Sequence, residues 1–540
     1  MSKKFWLKKM FGKTQAKSTA HLPREQSSNP NNEPLEVTEC IDISKRLEWF
    51  QQNLSNSSDV QYHKFVAGPE VRCSLIYLKG MIDHKTVEKS VLGVITTLDA
   101  SMSIEQFISL IMDKKHLPIS EQSIQYTLKE ALRKLLNRDA LLLIDGDPRI
   151  LAISVVSFTK RAIEEPKNET VIRGPREAFL EDLETNLTLL RRRMKSPSFK
   201  VEMMHIGTET STSVAITYLH GKCSQQLVEE MKRRLSSIDI DGILATSYIE
   251  ECIEDNPYSP FPQLQLTERP DVVNAALLEG RIGVLVDGTP IALIAPTTIF
   301  MLMQAAEDYY HRYIAASWIR YIRYFFLFVS LLLPSAYIAI TTFHPEILPE
   351  RLLITLASSR EVVPFNSFFE AFMMELSFEA LREASVRIPK TIGQSVSIIG
   401  ALIIGTAAVE AGIASAAMVI IVSLTGISSF IIPHFELGFS FRMLRFPIMI
   451  LAGILGLYGI ACAMILIYLH LLELRSFGVP YLAPVAPLVP NDLKDTLGRA
   501  PWWKLTTRTS LFGLSQGGIR QPTNSRKWAQ SLEDNHLEEE

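Results

Sequence analysis

Three glutamates recur at helical spacing in an amphipathic stretch of the second half of the chain. Glu375, Glu379 and Glu383 are spaced i, i+4 and i+8, so a helix places their carboxylates on one face. Ionisable side chains close to lipid face a protein interior or water, and an oligomer turns each such position into a ring of charge. The spacing therefore predicts an acidic stripe along a cation path. The alternative is an interfacial amphipathic helix whose solvated acidic face is partly neutralised by Arg382 and Arg387.

Small residues recur at helical spacing in the apolar stretch that follows the stripe, and a similar ridge occurs in the last apolar stretch. In lipid, such ridges let helix backbones approach closely, because other driving forces between helices are weak. The ridges therefore predict tight helix packing. Their members are Gly393, Ser397, Ala401 and Gly405 in the first stretch and Ala452, Gly456, Gly459 and Ala463 in the second.

A second interpretation of the first ridge is a pore at the centre of an oligomer. That helix is slim and partly polar, with Gln394, Ser395 and Thr406 available to water. Glu410 follows in a tight turn, where its carboxylate would lie at the pore mouth. The candidate ion path comprises Glu375, Glu379, Glu383, Gln394, Ser397, Ala401 and Glu410.

The elements that must position these residues are apolar stretches long enough to cross a bilayer, whose hydrocarbon core of about 30 Å takes roughly 20 helical residues. The predicted spans are residues 324–343, 392–409, 413–433 and 446–470. Arg442 and Arg445 then fall in an outer loop, and the N-terminal region lies on the cytoplasmic side. The alternative is a very apolar soluble bundle. A mean hydropathy of +0.13 beside 21% charged residues indicates a soluble part joined to a membrane part.

Aromatic and cationic residues precede the first predicted span. Trp318, Tyr321 and Tyr324 stand beside Arg320 and Arg323. Amphipathic rings and cationic side chains favour the headgroup layer of a membrane. We therefore expect this end of the span at the cytoplasmic surface, with both arginines among the headgroups.

Two segments repeat in the soluble part at nearly the same spacing. Residues 74–80 (SLIYLKG) are echoed by residues 215–221 (AITYLHG), and residues 142–148 (LLIDGDP) by residues 284–290 (VLVDGTP). In both copies of the second segment an Asp-Gly pair stands between two β-rich runs, which is typical of a tight hairpin. The duplication predicts two similar α/β subdomains in tandem.

The predicted fold is an α/β cytoplasmic region of two similar tandem subdomains, followed by an α-helical transmembrane bundle. A charged helix near residues 175–195 joins the two subdomains. The predicted parts are a disordered basic tail and linker (1–36), the first subdomain (60–165), the second subdomain (205–300), the transmembrane helical domain (301–485) and a disordered cytoplasmic tail (486–540).

The residue patterns do not favour an enzyme or a metal protein. The five cysteines show no C-x-x-C spacing, the histidines are scattered, and neither a phosphate-binding glycine loop nor a G-x-S-x-G motif occurs. Asp145 and Asp287 are explained by turn geometry rather than by chemistry. We therefore expect no catalytic residue, no cofactor, no metal and no nucleic acid partner.

Several ordered blocks of the sequence resemble the A subunits of GerA-family spore germination receptors. The similarity runs from about residue 60 to residue 508 and is densest after Gln265. Both tails lie outside it, so the family implies no function for them. The blocks are TERPDVV (267–273), ITTFHPEILP (340–349), SSREVVPF (358–365), RIPKTIGQSVSIIGALIIGTAAVEAG (387–412) and RSFGVPYLAP (475–484).

The resemblance implies a multi-pass protein of the inner spore membrane that takes part in nutrient sensing during germination and is not an enzyme. Its implied partners are a permease-like B subunit that holds the nutrient, a lipoprotein C subunit, membrane lipid and further copies of the chain. A subunits of the family are thought to oligomerise into an ion channel that releases cations. Two alternatives stay open: a non-conducting scaffold or signal-transducing subunit for the permease-like partner, and a secondary transporter, which would show inverted hydrophobic repeats.

Overall fold

The computed structural model of the chain describes residues 41–505 apart from residues 100, 115, 120, 156–164, 167, 388–404 and 491. The predicted tail 1–36 and most of the predicted span 392–409 lie outside the described residues. The same is true of Gly393, Gln394, Ser397 and Ala401. The described elements form an N-terminal α/β region with two antiparallel sheets and a C-terminal group of helices.

Five strands form the first sheet: β1 (Val60–Ala67), β2 (Val71–Leu78), β3 (Gln122–Gln125), β4 (Asp139–Ile144) and β5 (Ile150–Ser154). They pair antiparallel in the order β1-β2-β4-β5-β3. Successive side chains of a strand point to opposite faces. Leu142 and Ile144 of β4 therefore enter the core on one side of the sheet, and Leu141 and Leu143 enter the core on the other.

Helices cover both faces of the first sheet: α1 (Ile43–Asn53), α2 (His84–Val87), α3 (Gly93–Thr96), α4 (Ile104–Met112) and α5 (Leu128–Leu136). A π-helical turn, Glu88–Leu92, connects α2 to α3. α1 and α5 pack on one face, and α2 to α4 pack on the other. α5 shows why: Leu128, Leu132 and Leu135 recur at helical spacing and are buried.

The second sheet contains β6 (Phe199–Ile206), β7 (Thr212–Leu219), β8 (Gln265–Thr267), β9 (Ile282–Val286) and β10 (Ala292–Ala295). Its order, β6-β7-β9-β10-β8, is that of the first sheet. Its faces are covered by α6 (Leu183–Arg193), α7 (Gln225–Ser236), α8 (Thr246–Ile253) and α9 (Pro270–Glu279). β6 begins at Phe199, upstream of the predicted subdomain boundary at residue 205.

The two Asp-Gly hairpins predicted from the sequence are confirmed. β4 pairs with β5 across the first Asp-Gly pair, and β9 pairs with β10 across the second. Gly146 and Gly288 have positive φ angles of 86° and 84°, which glycine adopts without steric cost. Each sheet therefore contains its predicted hairpin as the β4–β5 or β9–β10 pair.

The two halves of the α/β region are joined by a buried ion pair. Arg191 of α6 donates through Nε and Nη2 to the carboxylate of Asp59 at 2.7 and 2.9 Å. Both side chains are buried. Close by, the Ser58 N–H donates to the Val201 carbonyl at 2.9 Å. The predicted charged helix near residues 175–195 therefore contains α6, which bridges the halves through this pair.

The C-terminal helices are α10 (Ile299–Leu302), α11 (Tyr313–Phe343), α12 (Glu350–Arg360), α13 (Ser367–Arg387), α14 (Ala416–Phe430) and α15 (Phe435–Glu473). Within the described residues, α11 and α15 are long and apolar enough to cross a membrane, and α14 is a shorter apolar helix. The predicted span 324–343 lies within α11, 413–433 contains α14, and 446–470 lies within α15. A complete transmembrane bundle stays a prediction.

The outer loop predicted before the last span is wrong. α15 begins at Phe435, so Arg442 and Arg445 lie inside a helix, and both are buried. An apolar helix tolerates buried arginines only when carboxylates or carbonyls face them. These partners lie on the neighbouring helices α11 and α13.

The chain after α15 returns to the α/β region through β11 (Arg475–Ser476) and β12 (Val479–Pro480). The Ser476 hydroxyl donates to the Gln263 carbonyl at 2.6 Å and accepts from the Thr297 N–H at 3.0 Å. Two 3-10 turns follow, Asp492–Asp495 and Trp502–Lys504. They belong to the segment predicted as tail 486–540, and the structure packs them beside the start of α11.

Candidate functional site

The first glutamate of the predicted stripe lies in a buried ion pair between two helices. The Glu375 carboxylate on α13 pairs with the Arg445 guanidinium on α15, and both side chains are 3% exposed. Arg445 also donates through Nε to the Ser330 carbonyl of α11 at 2.8 Å. This pair therefore holds three helices together.

The other two glutamates are progressively more exposed. Glu379 is partly exposed and shared by two arginines, with Arg382 at 3.3 Å and Arg442 at 3.6 Å. Arg382 also donates to the Ser429 hydroxyl of α14 at 2.8 Å. Glu383 is exposed. The ion path along these carboxylates stays a prediction, and the structure adds the arginines that face the first two.

A further buried carboxylate, Glu370, lies outside the predicted stripe. Its Oε1 accepts from the Ser415 N–H at 2.7 Å and from the Ser415 hydroxyl at 2.6 Å. Arg360 of α12 lies 3.5 Å from its Oε2. Glu370 precedes Glu375 by five positions and so falls outside the i, i+4 spacing. Its one signal was an acidic side chain within a phenylalanine-rich apolar run.

The described glycines of the two ridges lie close to other side-chain or backbone atoms of the helical region. A Cβ on Gly405 would lie 3.4 Å from Val419, and one on Gly459 would collide with the Leu451 carbonyl. Gly456 has φ +61° and ψ −140°, and interrupts the helical geometry of α15. Glu410 is exposed at the end of helical residues 405–410. The pore assigned to the first ridge stays a prediction.

Gly456→Ala is expected to destabilise the full chain by about 1–3 kcal/mol, because a residue with a side chain is strained at this backbone conformation. The added methyl group would also lie 3.0 Å from Phe343 Cβ on α11. The matched control is Gly426→Ala in α14, where a Cβ meets nothing within 4 Å. Thermal unfolding in detergent measures both variants. Equal stability of the two would contradict a packing role for Gly456.

A second buried ionic cluster lies where the α/β region meets α11. The carboxylate of Asp308, 1% exposed, accepts from Arg320 Nε at 2.9 Å and from both Nη groups of Arg323 at 2.7 Å. Asp495 accepts from Arg320 Nη1 at 2.9 Å. Arg499 Nη1 donates to the Asp308 carbonyl at 2.7 Å. This group, the Asp308 cluster, joins the α/β region, α11 and the C-terminal segment.

The Asp308 cluster corrects the expectation for the arginines before the first span. Arg320 and Arg323 are buried against carboxylates rather than placed among lipid headgroups. Trp318 and Tyr321 are exposed, whereas Tyr324 is half-buried and its hydroxyl donates to the Thr496 carbonyl at 3.2 Å. Placement of these rings at the membrane surface stays a prediction. Charge-assisted hydrogen bonds to buried carboxylates stabilise the two guanidinium groups. These carboxylates lie outside α11, so the residue pattern of that helix does not predict them.

Three acidic side chains influence one another electrostatically at the end of α8 and the start of α15. The pKa of Glu250 is raised to about 8, first by burial and then by the carboxylates of Glu254 and Glu436. This carboxyl group is therefore largely protonated at pH 7. Protonation of Glu250 removes one negative charge that the carboxylates of Glu254 and Glu436 would repel.

The described part of the chain offers no cluster of three or more His, Cys, Asp or Glu side chains that could hold a metal ion. The described cysteines, Cys73, Cys223, Cys252 and Cys462, are free thiols. Burial raises the pKa of the Cys73 and Cys223 thiols to about 12, so these thiols do not supply nucleophilic thiolates near neutral pH. The notable chemistry of the described helices is therefore charge pairing inside apolar packing.

Comparison with known proteins gives a consistent result over most of the chain. A family model described as Bacillus/Clostridium GerA spore germination protein matches residues 48–511. The chain is 44% identical over 487 residues to the uncharacterized membrane protein YfkQ of Bacillus subtilis, covering 89% of this chain and 94% of YfkQ. It is 42% identical over 463 residues to spore germination protein KA of the same organism, covering 85% of each.

The chain is also similar to two further proteins. Spore germination protein A1 of Bacillus subtilis is 39% identical over 468 residues, which is 86% of this chain and 96% of that protein. The crystal structure of the N-terminal domain of the A subunit of the Bacillus megaterium spore germinant receptor GerK3 is 32% identical and covers 49% of this chain and 96% of that domain, with a TM-score of 0.38.

Proposed function

This chain belongs to the GerA family of spore germination proteins, and from that premise we propose that it is the A subunit of a nutrient germinant receptor and conducts ions as an oligomer. A role in spore germination is supported by the family and by the named relatives. The family is not a known enzyme family, so we propose no catalytic activity. The proposed partners are a permease-like B subunit, a lipoprotein C subunit and further copies of the chain.

The proposed location is the inner spore membrane, with several spans and the α/β region on the cytoplasmic side. A membrane location is supported by the two long apolar helices α11 and α15 and by the name of the relative YfkQ. The duplicated α/β region is then connected to the membrane helices through the Asp308 cluster. At this cluster, buried ion pairs transmit a signal from the partner subunit into α11.

The observation that carries the channel proposal is the row of charged groups between helix α13 and the apolar helix α15. Glu375 and Glu379 on α13 face Arg445 and Arg442 on α15. Ionisable residues at membrane depth mark substrate or ion routes more often than structural positions. The exposed end of the row, Glu383, offers a negative site, and the arginines at the buried end hold the closed arrangement.

Opening of this path requires a nutrient signal that favours one arrangement of the helices by differential affinity. Glu379 is the residue most suited to exchange partners, because two arginines lie within 4 Å of it and neither contact is short. Movement of α13 relative to α15 would leave Glu379 with Arg382 of its own helix. Its second contact, to Arg442, would then be lost.

The test is nutrient-triggered potassium release from spores that carry Glu379→Gln and Glu383→Gln together. Glu375 is left unchanged, since its loss would break the buried pair and confuse conduction with folding. We expect release to be slowed about tenfold or changed in ion selectivity, because two carboxylates leave the path. The matched control is Glu350→Gln on α12, an exposed glutamate.

Receptor abundance must equal that of the unchanged chain for the release to be interpreted. Normal potassium release at normal abundance would remove the stripe from the ion path. The scaffold alternative is separated by ion flux through liposomes that contain the chain alone. Ion conduction in these liposomes supports the channel. A nutrient response in spores, with no conduction in the liposomes, supports the scaffold.

A further inference from the structure

A groove of about 860 Å³ lies beside the first turn of α11. Its walls are mainly apolar and aromatic and include Tyr313, Ile314, Trp318 and Trp503. The rings of Tyr313 and Trp503 meet edge to face, with their centroids 5.9 Å apart. Ile314 and Trp318 are each 67% exposed, so no described part of the chain covers this wall.

The groove also carries positive charge. Arg312 precedes α11, lines the groove and is exposed, and no hydrogen bond or ion pair of the described residues engages its guanidinium. The first N–H groups of α11 receive no side-chain cap, so the helix leaves partial positive charge at this end. Apolar walls next to free cationic groups suit an amphiphile with an anionic head.

Arg499 provides an independent observation from the buried side of the groove. Its side chain lines the groove and is only 4% exposed. Nη1 donates to the carbonyls of Asp308 and His311, whereas Nε has no hydrogen-bond partner and no described carboxylate forms an ion pair with this guanidinium. The carboxylates of Asp495 and Asp308 attract this guanidinium electrostatically, but a buried N–H group without a hydrogen-bond acceptor is costly. An anion in the groove would supply an acceptor for this N–H group.

The length of α11 sets the depth of the groove in a membrane. Its 31 residues correspond to about 46 Å at a rise of 1.5 Å per residue. A bilayer with both headgroup layers is about 40–45 Å thick. Exposed apolar side chains continue along α11 from Ile314 and Trp318 to Phe325 and Phe328. The first turn of α11 therefore lies at headgroup depth when the helix crosses the membrane.

We propose that this groove binds the headgroup of an anionic phospholipid. The phosphate lies at the first turn of α11 beside Arg312 and Arg499, and the glycerol and first acyl carbons pack on Ile314, Trp318 and Trp503. The proposal uses the membrane location of α11 and does not depend on ion conduction. Because Arg499 also contacts Asp308, the lipid would stabilise the junction between the α/β region and α11.

The test uses the full chain in nanodiscs that contain phosphatidylglycerol and phosphatidylcholine in equal amounts. Native mass spectrometry then measures which lipid the chain retains after release from the disc. The unchanged chain is expected to retain phosphatidylglycerol preferentially. Arg312→Gln is expected to lower that preference about fivefold, the contribution of one cationic side chain near an anionic surface.

The matched control is Arg351→Gln, an exposed arginine at the beginning of α12. It is expected to leave the preference unchanged, and Trp318→Ala is expected to lower the retention of phosphatidylglycerol. Thermal unfolding in detergent without added lipid checks that the variants are folded. Equal retention of the two lipids by the unchanged chain, or an equal loss in the Arg312 and Arg351 variants, would overturn the proposal.

Two further experiments test whether something other than a phospholipid occupies the groove. Inorganic phosphate is added to the chain in phosphatidylcholine nanodiscs, and its thermal stabilisation is compared with that given by phosphatidylglycerol. Equal stabilisation would assign the site to free phosphate and overturn the lipid proposal. Removal of residues 506–540 tests the chain's own C-terminal segment. A lipid preference that exists only in the truncated chain would show that this segment occupies the groove.

Discussion

Arg445→Leu is expected to destabilise the full chain by about 3–5 kcal/mol, because the Glu375 carboxylate then stays buried without its partner. Both side chains are 3% exposed, and the pair lies between α13 and α15. Glu375→Leu is expected to cost a similar amount. The double variant Glu375→Leu/Arg445→Leu is expected to recover most of the loss, since two apolar side chains suit this apolar packing. Thermal unfolding in detergent measures the cycle.

The matched control for the Arg445 cycle is Arg351→Leu, where an exposed arginine is removed. It is expected to change stability by less than about 0.5 kcal/mol. A double variant as unstable as the worse single variant would contradict the expectation. That result would assign the effect of Arg445 to its hydrogen bond with the Ser330 carbonyl rather than to its charge.

Asp308→Asn is expected to destabilise the junction between the α/β region and α11 by about 3–5 kcal/mol. Asparagine keeps the size of the side chain, but it removes the negative charge that faces Arg320 and Arg323. Asp495 then remains as the one carboxylate in the described contacts of Arg320. Hydrogen exchange is expected to rise in residues 306–312 and in the first turns of α11, with little change in the two sheets.

Asp239→Asn is the matched control, because Asp239 is exposed and lies far along the chain from the cluster. It is expected to leave hydrogen exchange unchanged throughout. Unchanged exchange at residues 306–312 in Asp308→Asn would contradict the view that this ionic cluster holds the junction. In that case the packing of α10 and β11 against their neighbours would be sufficient.

The buried Glu375–Arg445 pair affects how the proposed ion path should be tested. Neutralising all three stripe glutamates at once would remove a folding contact at Glu375 together with two candidate path residues. Loss of ion release in such a variant would therefore have two explanations. Variants at Glu379 and Glu383 keep this buried pair, and thermal unfolding of the Glu379 variant checks the effect of losing its contact with Arg442.

Local signals explain the part of the fold that could be predicted from the sequence. The Asp-Gly pairs between β-rich runs predicted the β4–β5 and β9–β10 hairpins, because a tight turn depends on a few adjacent residues. Runs of apolar residues predict α11 and α15, because a segment that crosses the lipid core needs roughly 20 apolar helical residues. The common strand order of the two sheets agrees with the repeated segments.

Pairings between distant residues could not be predicted in this way. The sequence pattern predicts a loop at Arg442 and Arg445, because charges usually end an apolar span, yet α15 begins before them at Phe435. Their partners lie about 70 positions earlier on α13, and the sequence holds no local signal for that distance. Glu370 was missed for the same reason, since its partner Ser415 is 45 positions away.

The sequence by itself determined the family, the two-part organisation and the positions of the principal apolar helices, because these depend on composition, periodicity and short motifs. Only the tertiary structure decided which charges are buried, which carboxylate faces which arginine, and that residues 492–505 pack beside α11. The physical reason is that a buried charge is stable only beside its partner. Helix packing brings that partner near and sequence spacing does not.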